Sequence, residues 1–126
     1  MGLKTDAVSA RQWEFERTRY WQKLAAVLED HHALLCPTMA ITAPPVEMRD
    51  WDFSGVNEKG LLECMDMTSP FNYMAQCPAM SVPSGFADGL PTATQIVTRR
   101  WDDALVLQIA AAIEEAAPWS HKYPDI

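Results

Sequence analysis

At 126 residues, 48 % apolar and 21 % charged, the chain has the length and composition of one folded domain, not of a disordered segment. Its formal charge of −7 argues against a nucleic-acid groove, which needs a basic footprint. No apolar run approaches the roughly 20 residues of a membrane-spanning helix, and the polar start Met1-Gly2-Leu3-Lys4-Thr5-Asp6 lacks the apolar stretch of a secretory signal. The expected compartment is therefore the cytoplasm.

Taken in order, Ala7 to about Asp30 is predicted to be a long helix. Trp13, Tyr20, Leu24, Val27 and Leu28 draw one apolar stripe along it, and Asp6, Thr5 and Ser9 are the candidate caps. The stripe either lines a ligand pocket or packs into the core. Ala33-Leu34-Leu35-Cys36 reads as a short buried strand closed by Pro37. From Thr38 to Lys59 periodicity is lost, and a segment of that length without structure is often functional. Trp51 and Phe53 lie in it, flanked by Asp50 and Asp52. They either wall a substrate pocket or tuck back to pin the loop. Gly60 to Ser69 reads as a short helix, followed by a further turn over Phe71 to Gln76. Within it the Asn72 amide is able to satisfy two backbone groups where the chain enters the next strand.

Pro78 to Val97 organises the rest. Ala79–Val82 and Thr92–Thr98 are predicted strands, because the first is small and apolar and the second is rich in β-branched residues. The nine residues from Pro83 to Pro91 read as the loop between them, too short for a parallel crossover, so the strands should pair antiparallel. A second long helix is predicted from Asp102 to Ala117, with Leu105, Ile109, Ala112, Ile113 and Ala116 on its packed face and Asp102 as cap. Ser120 to Ile126 reads as a loose tail.

The titratable residues limit the chemistry. Cys36, Cys64 and Cys77 are odd in number with no Cys-x-x-Cys spacing, and adjacent His31 and His32 point apart on a helix. No disulfide framework, metal or cofactor is expected. Cys77 beside Pro78 is either a nucleophile needing a histidine or a buried, inert thiol.

Several motifs together resemble one family. Leu34-Leu35-Cys36-Pro37-Thr38 with Ala43-Pro44-Pro45, then Thr68 with Phe71-Asn72, then Pro78-Ala79 and Ser81-Val82-Pro83-Ser84-Gly85-Phe86, then Gly89-Leu90-Pro91 with Gln95-Ile96-Val97, follow in the order of the C-terminal part of amidase signature enzymes. Asp102-Asp103, Leu105, Glu114 and Pro118-Trp119 continue the match, which covers roughly residues 11 to 119. Ala93 stands where the family form Pro-x-Gly-x-Gln has glycine.

The resemblance implies a fold and an activity. The fold is α/β, the C-terminal part of an α/β/α sandwich, with a mixed sheet and a β-hairpin (about 79–82 and 92–98) between a long N-terminal and a long C-terminal helix. Residues 1–126 would be a single partial domain. The activity is hydrolysis of amide C–N bonds by a Ser–cis-Ser–Lys triad with oxyanion-hole amides from a Gly/Ser-rich loop. No segment here resembles those motifs, so no catalytic residue is assigned, and Trp51, Phe53, Asn72 and Cys77 stand as substrate-pocket candidates. The implied partners are a small-molecule amide substrate in the complete enzyme and the missing N-terminal amidase part, or self-association in its absence. The alternative is a non-catalytic interaction module derived from a truncated amidase.

Overall fold

Ile96 and Val97 are adjacent on one strand and fully buried, so they face opposite sides of a sheet that is covered on both. Val97 packs with Leu24, Leu28 and Met74 from two helices, while Ile96 packs with Val82 and Ala110 from the hairpin and a third helix. The computed structural model describes residues 5–49, 52, 55–56, 62–63, 65–74 and 76–122. Along it run α1 (Ala7–Asp30), β1 (Leu34–Pro37), β2 (Gly55–Val56), β3 (Leu62–Glu63), α2 (Ser69–Met74), β4 (Ala79–Ala87), β5 (Leu90–Val97) and α3 (Asp103–Ala116). With α1 and α2 on one face of the β1–β5–β4 sheet and α3 on the other, the layers are α/β/α.

The class and the hairpin agree with the sequence reading, but the pairing is simpler than expected. Both β1 and β4 run antiparallel to β5, as do β2 and β3 to each other, so among the described residues the sheet is antiparallel, not mixed. The hairpin is also longer than its Pro- and Gly-rich sequence suggests. Its turn is only Asp88-Gly89, with φ of 53° and 76°, and two successive positive φ values match the right-handed strand twist as a type I′ turn does. Asp88 tolerates that region and Gly89 meets nothing where a Cβ would stand. Pro83 and Pro91 do not break the strands. Pro83 sits on the edge strand β4 beside a register shift at Gly85, and Pro91 lies in the part of β5 beyond β1, whose pairing stops at Pro37 opposite Thr94.

Helix α1 begins where the Asp6 carboxylate accepts from the N–H of Val8 and Ser9, each at 2.9 Å. The Ser9 N–H first, with the Ser9 hydroxyl and Val8, holds the Asp6 carboxyl below its usual range. The predicted stripe of α1 is only half packed. Leu24 and Leu28 are buried, but Trp13, Tyr20 and Val27 stay 56 %, 51 % and 45 % exposed. Helix α2 reaches the first half of α1 through Tyr73, whose hydroxyl donates to the Trp13 carbonyl (3.0 Å) and whose ring meets Tyr20 edge-on. No helix of the described residues is long and apolar enough to cross a membrane.

The helix expected from Gly60 to Ser69 is replaced by strand β3 at 62–63 and a capped start of α2. Asp66 is the cap. Its carboxylate accepts from the Thr68 N–H (2.7 Å) and hydroxyl (2.6 Å) and from the Ser69 N–H (3.2 Å) and hydroxyl. Those bonds, the Ser69 hydroxyl foremost, pull the Asp66 carboxyl down to about 2. A carboxyl depressed in the folded state stabilises it fully above the unfolded value near 3.8, and that stability is lost as pH falls toward 2. Asp66→Ala should therefore lower stability by about 1 kcal/mol at neutral pH, as loss of a helix cap does. In urea titrations the gap between wild type and variant should close as pH falls from 4 to about 2. A gap independent of pH would assign the loss to something other than this carboxylate.

Asp102 occupies the start of α3 without capping it. Its side chain turns to Arg99 (3.6 Å) instead, and Asp103 supplies the acidic group of the first turn. The packed face is turned from the predicted one: Val106 and Ala110 are buried and Ile109 and Ile113 half-buried, while Ala112 and Ala116 are exposed. After Pro118, Trp119 packs on the Ile96 side of the core and residues 120–122 form one 3₁₀ turn, closed by the Lys122 N–H on the Trp119 carbonyl (2.9 Å).

Candidate functional site

Two of the four pocket candidates, Trp51 and Phe53, lie outside the described residues. Asn72 is exposed on α2, and its N–H donates to the Thr68 carbonyl (3.2 Å). Cys77 is half-buried against the Leu24–Val97 side of the core. Burial pushes its thiol up, and the neighbouring Arg100 pulls in the opposite direction without cancelling it. A raised thiol is the wrong state for a nucleophile. Arg100 itself lies 4.0 Å from the Trp21 ring and donates to the Met74 carbonyl (2.8 Å), so it ties α1, α2 and the segment leading into α3 together. Neither Asn72 nor Cys77 lines the clefts described next.

Concave surface is found on two sides of the hairpin. One is a cleft of about 420 Å³ between the segment that leaves β1 (Thr38, Met39, Ile41, Thr42) and β5 (Thr92, Ala93, Thr94), with Ser84 and Pro91 at its end. The other, about 710 Å³, lies between the hairpin tip and the end of α3. The first owes its shape to backbone bonds that hold a segment read from sequence as unstructured. The Thr38 N–H donates to the Ala93 carbonyl (3.0 Å) and the Ala40 N–H to the Met65 carbonyl (2.8 Å), while Met39 bridges Asp66. Behind the cleft, the buried Gln95 amide donates to the Met67 carbonyl (3.0 Å) and to Cys36 Sγ (3.3 Å), fixing the 65–68 segment to the sheet. Ala93, where the family form has glycine, leaves its carbonyl open to Thr38.

Hydroxyls dominate the polar groups of this cleft. Thr38 Oγ1 shares a hydrogen bond with Ser81 Oγ (2.9 Å), and Ser84 Oγ with Thr92 Oγ1 (3.2 Å). The hydroxyls of Ser9 and Ser69 donate to Asp6 and Asp66 as helix caps. These serines are engaged with threonines or capping carboxylates, an arrangement suited to binding and scaffolding, not to activating a nucleophile. Among the described residues no group of three or more His, Cys, Asp or Glu side chains is placed to hold a metal ion.

The family model described as Amidase matches residues 3–107. The chain belongs to the amidase family. Across 107 residues the amidase segment is 36 % identical to an acylamidase of Rhodococcus erythropolis, a match covering 82 % of this chain and 22 % of the relative. Among solved structures, a bacterial aryl acylamidase of the amidase signature family superimposes with a TM-score of 0.73 at 26 % identity, over 94 % of this chain and 25 % of that one. A glutamyl-tRNA(Gln) amidotransferase component of Thermotoga maritima does so with a TM-score of 0.66 at 35 % identity, over 89 % and 25 %. The amidase segment thus spans about a fifth to a quarter of the length of these relatives.

Two structural groups behind the cleft, the cap at Asp66 and the clamp at Gln95, escape the sequence reading. Asp66-Met67-Thr68-Ser69 carries the signal for the first, a carboxylate ahead of two hydroxyl residues at a helix start. For Gln95 the signals are a long amide inside a β-branched run and its place at the end of the family form Pro-x-Gly-x-Gln, neither of which points to the clamp.

Proposed function

We propose that this chain is the C-terminal part of an amidase-family hydrolase of carbon–nitrogen bonds, a single partial domain that supplies scaffold and one wall of the substrate pocket. In this reading the Ser–Ser–Lys catalytic set comes from protein outside these 126 residues, the substrate is a small-molecule amide, and the enzyme works in the cytoplasm. The hydroxyl-lined cleft beside β5 is the part of the wall contributed here. Asn72, Trp51, Phe53 and Cys77 stand as further candidates for it. The observation that carries the reading is the family match over residues 3–107 on a chain whose bonded serine hydroxyls, among the described residues, are committed to caps or threonines. The exposed apolar side chains Leu35 on the edge strand β1, Met80 on the other edge and Leu107 on α3 support further protein packing against this layer.

The purified chain is expected to hydrolyse none of a panel of aryl and alkyl amides and to resist a covalent probe for activated serines. Alone, it is expected to elute from a sizing column ahead of its 14.1 kDa monomer position. The same chain, exchanged for the matching segment of the Rhodococcus acylamidase, is expected to leave that enzyme folded and active. Turnover by the isolated chain that disappears in Ser84→Ala would overturn the proposal, and so would a folded chimera without activity.

A further inference from the structure

The groove between the hairpin tip and the end of α3 shares Ser84 and Pro91 with the cleft beside β5, but the rest of its lining is not used by the amidase reading. Its volume, about 710 Å³, lies in the range of sites that enclose drug-sized molecules. Phe86, Pro91, Ile113 and Trp119 make its walls apolar. Trp119 is a fixed wall, since it is packed on the Val82–Ile96 cluster. Among the described residues one charged side chain lines the groove, Lys122, with its Nζ 5.9 Å from the centre of the Phe86 ring. The ion pairs of the described residues join Arg11 to Glu14, Arg19 to Glu16 and Arg99 to Asp102, so none of them occupies Lys122.

Among the described residues, the one charge carried by the groove lining is positive, on a chain of net charge −7. The aromatic face attracts the ammonium weakly from one side and leaves its N–H donors for an acceptor. We infer that this groove binds a small amphiphilic monoanion: an aryl or alkyl body between Phe86, Ile113 and Trp119, with a terminal carboxylate on Lys122. Burial of the body supplies most of the affinity, and the charge-assisted bond to Lys122 selects the acid over a neutral analogue of the same shape.

The test is an NMR titration of the full chain with 4-phenylbutyrate, and in parallel with 4-phenylbutanol. The acid is expected to shift the Trp119 indole and the Phe86 and Ile113 amides together and saturably, and to bind more tightly than the alcohol. Lys122→Met keeps the apolar stem and should weaken the acid by about tenfold while leaving the alcohol unchanged. Phe86→Ala should weaken both. Equal binding of acid and alcohol, or an acid affinity that Lys122→Met does not change, would overturn the role of the cation. Shifts confined to other parts of the chain would overturn the site.

Discussion

Ile96→Ala should remove about 4 kcal/mol, a large share of the roughly 5–15 kcal/mol that holds a domain of this size folded. Ile96 is fully buried on the central strand, between β1 and β4, and packs against Val82 and Ala110. Ile109 and Ile113 of α3, with Trp119 beyond it, also pack on this cluster, so the missing carbons leave a cavity among side chains already held in place. In urea the unfolding midpoint should fall by about 2 M if the slope is unchanged. Leu107→Ala removes as much apolar volume from α3 at a site that is 61 % exposed, and should change stability by less than about 0.5 kcal/mol. Equal losses at the two positions would mean that the α3 layer is not seated on Ile96 as described.

That contrast also shows what is legible in the sequence. The helices read over 7–30 and 102–117 and the strands read over 33–36, 79–82 and 92–98 lie within a few residues of the elements observed, except that the first strand runs on to Pro37 and the hairpin strands run on to Ala87 and from Leu90. They follow from local pattern and β-branching, and the antiparallel pairing from the short connection, signals that depend on neighbours a few residues away. The family resemblance rests on motif order and survives local errors for the same reason. The misreadings come from what lies across space. Trp13 and Tyr20 fit the helical stripe, yet both stay half exposed, so a correct period predicts a burial that does not occur. The predicted face of α3 runs through alanines instead of Val106, because small residues fit any stripe. Pro83 and Pro91 read as loop, although edge position and the limited reach of β1 make both tolerable in strands. The tight Asp88-Gly89 turn carries a strong local signal that the surrounding prolines mask. At and beside the candidate site Thr38 meets Ser81 and Ser84 meets Thr92 only because β1 and β4 both flank β5, a juxtaposition without any sequence spacing of its own.

Arg100→Met should cost about 2–3 kcal/mol, the second large loss expected in this chain. Its guanidinium stacks 4.0 Å from Trp21 on α1 and donates 2.8 Å to the Met74 carbonyl at the end of α2, so one side chain joins both helices to the segment that follows β5. Methionine retains much of the stem and removes the stacking, the bond to Met74 and the hydrogen bond to Cys77, leaving the carbonyl of a buried residue without this donor. The substitution has a second readout that simple loss of packing would not give. Arg100 lowers the Cys77 thiol against the larger effect of burial, so its removal should move the pH at which Cys77 becomes reactive still higher. Alkylation followed against pH in buffer without denaturant, where the variant remains folded, reads this directly. Stability lost with the reactivity profile unmoved would mean that Arg100 acts on the helices alone. A profile displaced upward would show that the same charge that fastens α1 and α2 also sets the state of the thiol beside them.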